Sequence, residues 1–378
     1  MTNIKDVAIK AGVSVSTVSR VMNNRGYISQ ATKDKVFNAM KDLNYQPNEI
    51  AKSLFKKKSN IIGLILPDIS TPFYAEETRY IEEELYKLGY KLMLCNAYNS
   101  STREQEYINM LLRNQVDGII IGSHTLKIED YLNLNLPIVA LDRYLGDDIP
   151  VVSADHMEGG KLAALELLNC GCTNILHFSG SSKVPTPSND RHKSFNDTLE
   201  GRNVKVNTIE LPINFFSFSD YSPIIQEALD NNPNIDGVFA TDTIALATIK
   251  ELSKRNINVP KEVKVVGYDG LSICALTYPS LTTIQQPIKE LSKQAVKTLM
   301  NLINKINTSI EKKIVLPVSL ERGNTTLNYQ KSYTVESFYY KIKISINQKT
   351  ETKSMLSINL SLENFKTTVF LDKWPFCY

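Results

Sequence analysis

The sequence predicts a small all-α helix-turn-helix headpiece joined to a larger α/β core of two lobes with parallel sheets. Three observations carry this. Near the start, apolar residues fall at Ile4, Val7, Ala8 and Ala11 and are followed at once by Gly12. That spacing is one face of a short helix, and glycine suits the sharp turn after it. From residue 60 onward, short apolar runs alternate with longer helical stretches, the rhythm of βαβ units. Charge is also segregated. Residues 1–58 hold 11 Lys and Arg against 4 Asp and Glu, whereas residues 59–330 hold 25 against 32. A basic module on an acidic body suits a nucleic-acid reader carried by something else.

Ser14 is a fitting N-cap for a second helix. That helix turns Val18 and Val21 or Met22 inward and Val15, Ser16, Ser19 and Arg20 outward. It is sized to enter a major groove. The bland alternative is an ordinary helical hairpin. Thr32 is expected to start a third helix, with Val36, Phe37, Met40 and Leu43 closing a small core. Pro47 then disfavours helix at Gln46, and Asn48 can cap a new turn, so 47–58 reads as a hinge. Lys56, Lys57 and Lys58 add phosphate attraction.

Strand candidates in the core are 61–66, 90–95, 116–121, 137–141, 151–153, 174–179, 206–211, 237–240 and 263–268. Helices are expected between them, for example over 73–88 and 157–169. Nine strands are many for one parallel sheet of this kind, so two lobes are predicted. Ligands of open α/β sheets bind beyond the strand C-termini, and two facing lobes make a cleft. Polar and aromatic residues cluster at those ends: Asp68, Phe73, Tyr74, Ser123, His124, Asp142, Arg143, Asp155, His156, Arg191, Thr241, Asp242, Tyr268 and Asp269. For each lone Asp the alternative is a helix N-cap.

The run "IKDVAIKAGVSVSTVSRVMNN" (4–24), followed by "NYQPNEIAKSL" (44–54), resembles the headpiece of the LacI/GalR family of bacterial repressors. The resemblance continues to about residue 326. Within the family it is strongest to the sucrose-operon repressors of low-GC Gram-positive bacteria, through "HTLKIEDY" (124–131), "LDRYLGDDIPVVSADHMEGGKLAA" (141–164) and "GYDG" (267–270). The resemblance implies that Val15, Ser16 and Arg20 read base edges while Ser14, Thr17 and Asn23 hold phosphates. It implies a hinge helix on the operator, with Asn48 and Ala51 at the DNA and Leu54 wedged into the minor groove. Phe55 departs from the small or basic residue common there.

The resemblance also implies a periplasmic-binding-protein-like core. Lobe one spans about 60–155 and 285–315, and lobe two about 156–284 and 316–327. The domains expected are thus 1–46, 47–58, 59–330 and an atypical tail, 331–378. Arg191 ("DRHKSF") and Asp269 match the family's most characteristic effector contacts. Asp155, Thr241, Asp242, Gln286 and Phe73 match others, and Tyr74 and Ser123 join them at strand ends. Thr241 and His156 stand where Asn is common. One of Phe215, Phe216 and Phe218 is expected to stack on the ligand. The implied function is a homodimeric, sugar-released transcriptional repressor on a near-palindromic operator. Sucrose or another fructose-containing sugar is the expected inducer, with ribose as a rival. The resemblance leaves room for a phosphoprotein corepressor.

Other classes find little support. There is no Gly-x-Ser-x-Gly elbow, no phosphate-loop motif and no metal-ligand spacing, so an enzyme, a metal and a cofactor are not expected. The four His are dispersed. The five Cys (Cys95, Cys170, Cys172, Cys274, Cys377) are scattered and read as reduced thiols. Neither a secretory signal nor a membrane-length apolar run is seen, so a cytoplasmic protein is expected. Residues 331–378 have no place in the family pattern. Their stretches 339–346 and 357–362 alternate. An extra β element, a disordered tail and translation beyond a lost stop codon all fit them.

Overall fold

The computed structural model describes residues 2–46, 58–98, 100–123, 125–126, 128–182, 186–212, 218–306, 311–326, 357–362 and 365–370. Expectations for the hinge (Asn48, Ala51, Leu54, Phe55, Lys56, Lys57), for His124, for Phe215 and Phe216, and for 339–346 lie outside the described residues.

The headpiece is three helices: α1 (Ile4–Ala11), α2 (Val15–Met22) and α3 (Gln30–Asp42). Asn3 opens α1 with a capping box shared with Asp6, which satisfies two otherwise orphaned backbone donors. Gly12 ends it at φ +65°, with open space where a Cβ would sit. Backbone conformation, rather than crowding, therefore demands glycine here. Val7, Ala8, Ala11, Val18, Val21, Val36 and Ala39 make the core, with Met40, Leu43 and Tyr45 packed beside it. Two expectations need correction. The third helix starts two residues early, at Gln30, because Ser29 caps it through the Thr32 amide. Phe37 is 52% exposed; Ala39 fills the inward position, since Phe37 lies one residue out of phase with Val36.

The core continues with β1 (Ile61–Leu66), α4 (Pro72–Lys87), β2 (Lys91–Asn96), α5 (Ser101–Arg113), β3 (Gly118–Ile121), α6 (Ile128–Leu132), β4 (Ile138–Leu141) and β5 (Val151–Ala154). It crosses over into α7 (His156–Asn169), β6 (Asn174–Ser179), α8 (Asp190–Leu199), β7 (Lys205–Glu210), α9 (Phe218–Asn231), β8 (Gly237–Phe239), α10 (Asp242–Lys254), β9 (Lys264–Asp269) and β10 (Thr282–Gln285). It returns through α11 (Ile288–Ile303) and β11 (Lys313–Leu316), then crosses again to β12 (Ser319–Glu321).

Sheet one has the order β11-β5-β4-β3-β1-β2 and sheet two the order β12-β10-β9-β8-β6-β7. All pairs are parallel except β10–β12. The two orders match strand for strand: β1 with β6, β3 with β8, β4 with β9 and β5 with β10. Each sheet is packed on both faces. In sheet one, Leu64, Val139 and Val152 meet Ile81, Leu85 and Leu299, while Ile65, Ile119 and Ala140 meet Ile108 and Leu111. Buried parallel strands need such continuous apolar runs. In sheet two, Gln285 belongs to β10, and in sheet one, Leu316 belongs to β11.

The strand correspondence is reinforced by a repeated device. Before β3, the Asp117 carboxylate accepts from Ser59 N (2.8 Å), Ser59 Oγ (3.1 Å) and Asn60 N (2.9 Å). Before β8, Asp236 accepts from Thr173 N (2.7 Å), Thr173 Oγ1 (2.9 Å) and Asn174 N (2.9 Å). Each carboxylate ties the start of its lobe's first strand to the neighbouring strand. In the tail, β13 (Ser357–Leu362) and β14 (Phe365–Phe370) pair as an antiparallel hairpin.

Candidate functional site

On the headpiece, α2 presents a polar face. Ser14 caps it through the Thr17 amide at 3.1 Å, and its hydroxyl also meets Ser16 Oγ (2.8 Å) and Thr17 Oγ1 (2.9 Å). Val15, Ser16 and Arg20 are exposed, as a reading surface requires, while Thr17 is half-buried. Asn23 turns inward: its side-chain amide donates to the Ser19 carbonyl at 2.8 Å.

The second site lies where the lobes meet. Asp142 directly follows β4, and Asp269 ends β9, the corresponding strand of the other lobe. Both hold positive φ, 50° and 131°, a strained conformation for residues other than glycine that collects at functional positions. Asp142 Oδ1 lies 2.8 Å from His156 Nε2, and His156 Nδ1 lies 2.7 Å from Tyr268 Oη. The Arg191 guanidinium sits 4.5 Å from the centre of the Tyr268 ring. Its Nε is buried and has no hydrogen-bond partner among the described residues. Asp269 Oδ1 accepts from Gln286 Nε2 at 2.9 Å.

Electrostatics place these groups in one shared space. Burial works against the Asp142 charge, but His156, Arg143 and Arg191 outweigh it and hold the carboxyl below its ordinary range. Burial and the neighbouring Asp242 push Asp269 up to about 8, against the pull of Arg191. On the lobe-one side, Arg143 donates to Tyr74 Oη at 3.2 Å, and Phe73 meets Tyr74 edge to face at 5.4 Å. Phe73 and Tyr80 pack on the lobe-two core, and Ser272 N and Oγ donate to Glu76 across the gap.

The site therefore brings together Phe73, Tyr74, Arg191, Asp269 and Gln286 from the expected set. Asp155 stands at its margin as the N-cap of α7, accepting from Glu158 N at 3.0 Å. Thr241 precedes α10 and makes no side-chain cap bond. Ser123 is turned away: fully buried, it donates to Glu104 at 2.8 Å in a lobe-one knot shared with Thr125 and Tyr131. Asp242 is also fully buried, its oxygens taken by Leu271 N (2.8 Å) and Thr283 Oγ1 (2.6 Å), so it braces the Asp269 loop from behind.

Sequence reasoning passed over Glu77. It sits in phase with Ile81 and Leu85 on the inner face of α4, and burial, with Asp142 adding, pushes it up to about 8. A carboxylate in an apolar helical stripe was the signal available. The glycines of α7 were also missed. A Cβ on Gly159 would lie 2.5 Å from Tyr268 Oη, and one on Gly160 would lie 2.0 Å from the Arg191 carbonyl oxygen.

A helix-turn-helix at 4–22 joined to this two-lobed core matches two descriptions along the chain. Residues 3–48 match "Bacterial regulatory proteins, lacI family", and residues 59–321 match "Periplasmic binding proteins and sugar binding domain of LacI family". The chain belongs to the LacI family. Among its LacI-family relatives, the sucrose operon repressor of Pediococcus pentosaceus is 40% identical over 85% of this chain and 98% of that protein. That of Lactococcus lactis subsp. lactis is 42% identical over 85% and 99%. The lac repressor dimer bound to operator and the anti-inducer ONPF superposes with a TM-score of 0.76 at 26% identity, covering 86% of this chain and 99% of that one. These relatives are LacI-type repressors, not enzymes. No helix among the described residues is long and apolar enough to cross a membrane.

Proposed function

We propose that this LacI-family chain is a sugar-released repressor whose effector sits between Asp142 and Asp269. The observation that carries it is Arg191. A buried guanidinium nitrogen lacking a partner is costly, and this one lies beside an aromatic face and the carboxyl groups of Asp142 and Asp269 from opposite lobes. Sugar hydroxyls supply what such a group needs, in pairs that carboxylate and guanidinium grip together. The names of the sucrose operon repressors among the relatives support sucrose as the effector, and ribose operon repressors at 36–38% identity keep ribose as its rival.

In this reading two copies place two headpieces on a near-palindromic operator, because protein symmetry is mirrored in the half-sites. Arg20 and Ser16 read base edges, Ser14 and Thr17 meet phosphates, and the protein works in the cytoplasm. Sugar favours the closed lobes and weakens operator binding through a coupling on the order of 1–3 kcal/mol. A phosphoprotein corepressor is not required; it would reveal itself by raising operator affinity without sugar.

The test is fluorescence anisotropy on pooled operator-like palindromes, with sucrose, fructose, ribose and maltose in separate arms. Release by one sugar, abolished by Arg191→Ala, is the expected result. Tight DNA binding indifferent to every sugar would overturn the effector reading, and no binding at low salt would overturn the whole.

A further inference from the structure

His156 is the first residue of α7, immediately after the chain crosses from lobe one to lobe two. It is 2% exposed. Its two ring nitrogens face different lobes: Nε2 meets Asp142 at the end of β4, and Nδ1 meets Tyr268 in β9, at 2.8 and 2.7 Å. Nε2–H donates to the carboxylate in either charge state of the ring. In the neutral ring Nδ1 then accepts from the Tyr268 hydroxyl. The ring also stacks on Tyr268, 23° from parallel, and the Tyr268 ring carries Arg191.

The next turn of α7 completes the seat. Gly159 abuts the Tyr268 hydroxyl and Gly160 abuts the Arg191 backbone, both closer than any side chain permits. One helical turn at the crossover thus touches Asp142, Tyr268 and Arg191.

We propose that His156 is the positioning residue of the interlobe site: it joins lobe one's Asp142 to lobe two's Tyr268 and so sets both the closed lobe spacing and the seat of Arg191. It does this without needing to touch the ligand. The inference rests on the effector reading above, and it makes the crossover itself part of effector affinity.

The test is calorimetric binding of sucrose, fructose, ribose and maltose to the full chain, far below the melting temperature. His156→Leu removes both bonds. Tyr268→Phe keeps the ring under Arg191 and removes only the hydroxyl, so it reports even if the buried leucine fails to fold. His156→Gln retains a donor and an acceptor. Tyr268→Phe, which removes one buried hydrogen bond, is expected to weaken sugar binding about tenfold, and His156→Leu, which removes that bond and the one to Asp142, at least as much. Their double variant is expected to lose little more than His156→Leu alone. His156→Gln is expected to recover part of the affinity. Wild-type sugar affinity in both His156→Leu and Tyr268→Phe, or fully additive losses, would overturn the proposal while leaving the effector reading intact. Failure of the unaltered protein to bind any of the four sugars would overturn both.

Discussion

His177 and His192 face each other nitrogen to nitrogen at 2.9 Å, and their surroundings give that bond a direction. The Gly180 amide donates to His192 Nε2 at 3.2 Å, so His192 carries its proton on Nδ1 and donates to His177 Nε2. His177 Nδ1–H then donates to Thr208 Oγ1 at 3.3 Å. Both rings are neutral in this chain. Burial, with Arg191 nearby, holds His177 down at about 3 and His192 also well below the ordinary imidazole value.

The unfolded chain protonates both rings near pH 6.5, and the folded chain does not. Their stabilisation is therefore present above about pH 6.5 and is lost as pH falls towards 3, by roughly 1.4 kcal/mol per unit and ring. Glu77 and Asp269, both raised to about 8, act with the opposite sign: their contribution is full at low pH and is lost as pH rises to 8. A comparison with His192→Gln isolates the pair. The stability gap between the two proteins is expected to shrink by roughly 1 kcal/mol per unit between pH 6 and 4. Urea midpoints at four pH values measure it; a constant gap would refute the neutral chain.

Gly160→Ala sets a methyl group 2.0 Å from the Arg191 carbonyl oxygen. The neighbour is backbone, so α7 and α8 must separate. Overpacking of this kind costs about 3 kcal/mol or more. The expected outcome is a lowered melting temperature together with loss of sugar binding, since Arg191 moves with α8. Gly171→Ala serves as a contrast: open space surrounds that site, and only its φ of +78° is unfavourable. An unchanged sugar affinity in Gly160→Ala would show that the close α7–α8 approach does not place Arg191.

Asp117 and Asp236 hold three donors each in corresponding places of the two lobes. Either change to Ala leaves two backbone amides without their acceptor, at about 2 kcal/mol in stability. Their functional effects should differ. Asp117 grips Ser59 and Asn60, where the chain enters the core from the headpiece side, whereas Asp236 grips a turn inside lobe two. Asp117→Ala is expected to lower operator affinity severalfold, and Asp236→Ala to leave it unchanged at a temperature where both are folded. Equal operator affinities would remove the anchoring role.

Much of this was legible because it is local. The Ser14 cap, the Gly12 turn and the apolar phase of α1 and α2 are read within a few residues, whereas the Ser29 cap was not. The central strands, such as β1, β3 and β4, are near-continuous apolar runs, and the ends of the nine expected strands lie within two residues of expectation. Phe37 misled because hydrophobicity was weighed above phase. The site was legible as residue types but not as pairings. His156 meets Tyr268 across 112 residues and Ser123 meets Glu104 across 19, and no periodicity announces either bond. Whether a polar residue at a strand end lines a cleft or satisfies a buried partner is decided by tertiary packing. Ser123 and Asp242 took the second course.

Arg20 lies exposed in the last turn of α2, with no partner given by the helix itself. If it reads a guanine edge, its value is the planar fork that meets O6 and N7 together. Lysine keeps the charge and loses the fork. Arg20→Lys is therefore expected to preserve the slope of operator affinity against salt, because the number of phosphates neutralised is unchanged. It should cost about 1–3 kcal/mol on the preferred operator and relax selectivity at one base pair. Arg20→Ala should do the same to selectivity with a similar slope. If instead Arg20 holds a phosphate, Arg20→Ala weakens all sequences alike and lowers the slope by about one. Binding of the two variants to operators substituted at single positions, each at three salt concentrations, separates a base-reading Arg20 from a phosphate-holding one.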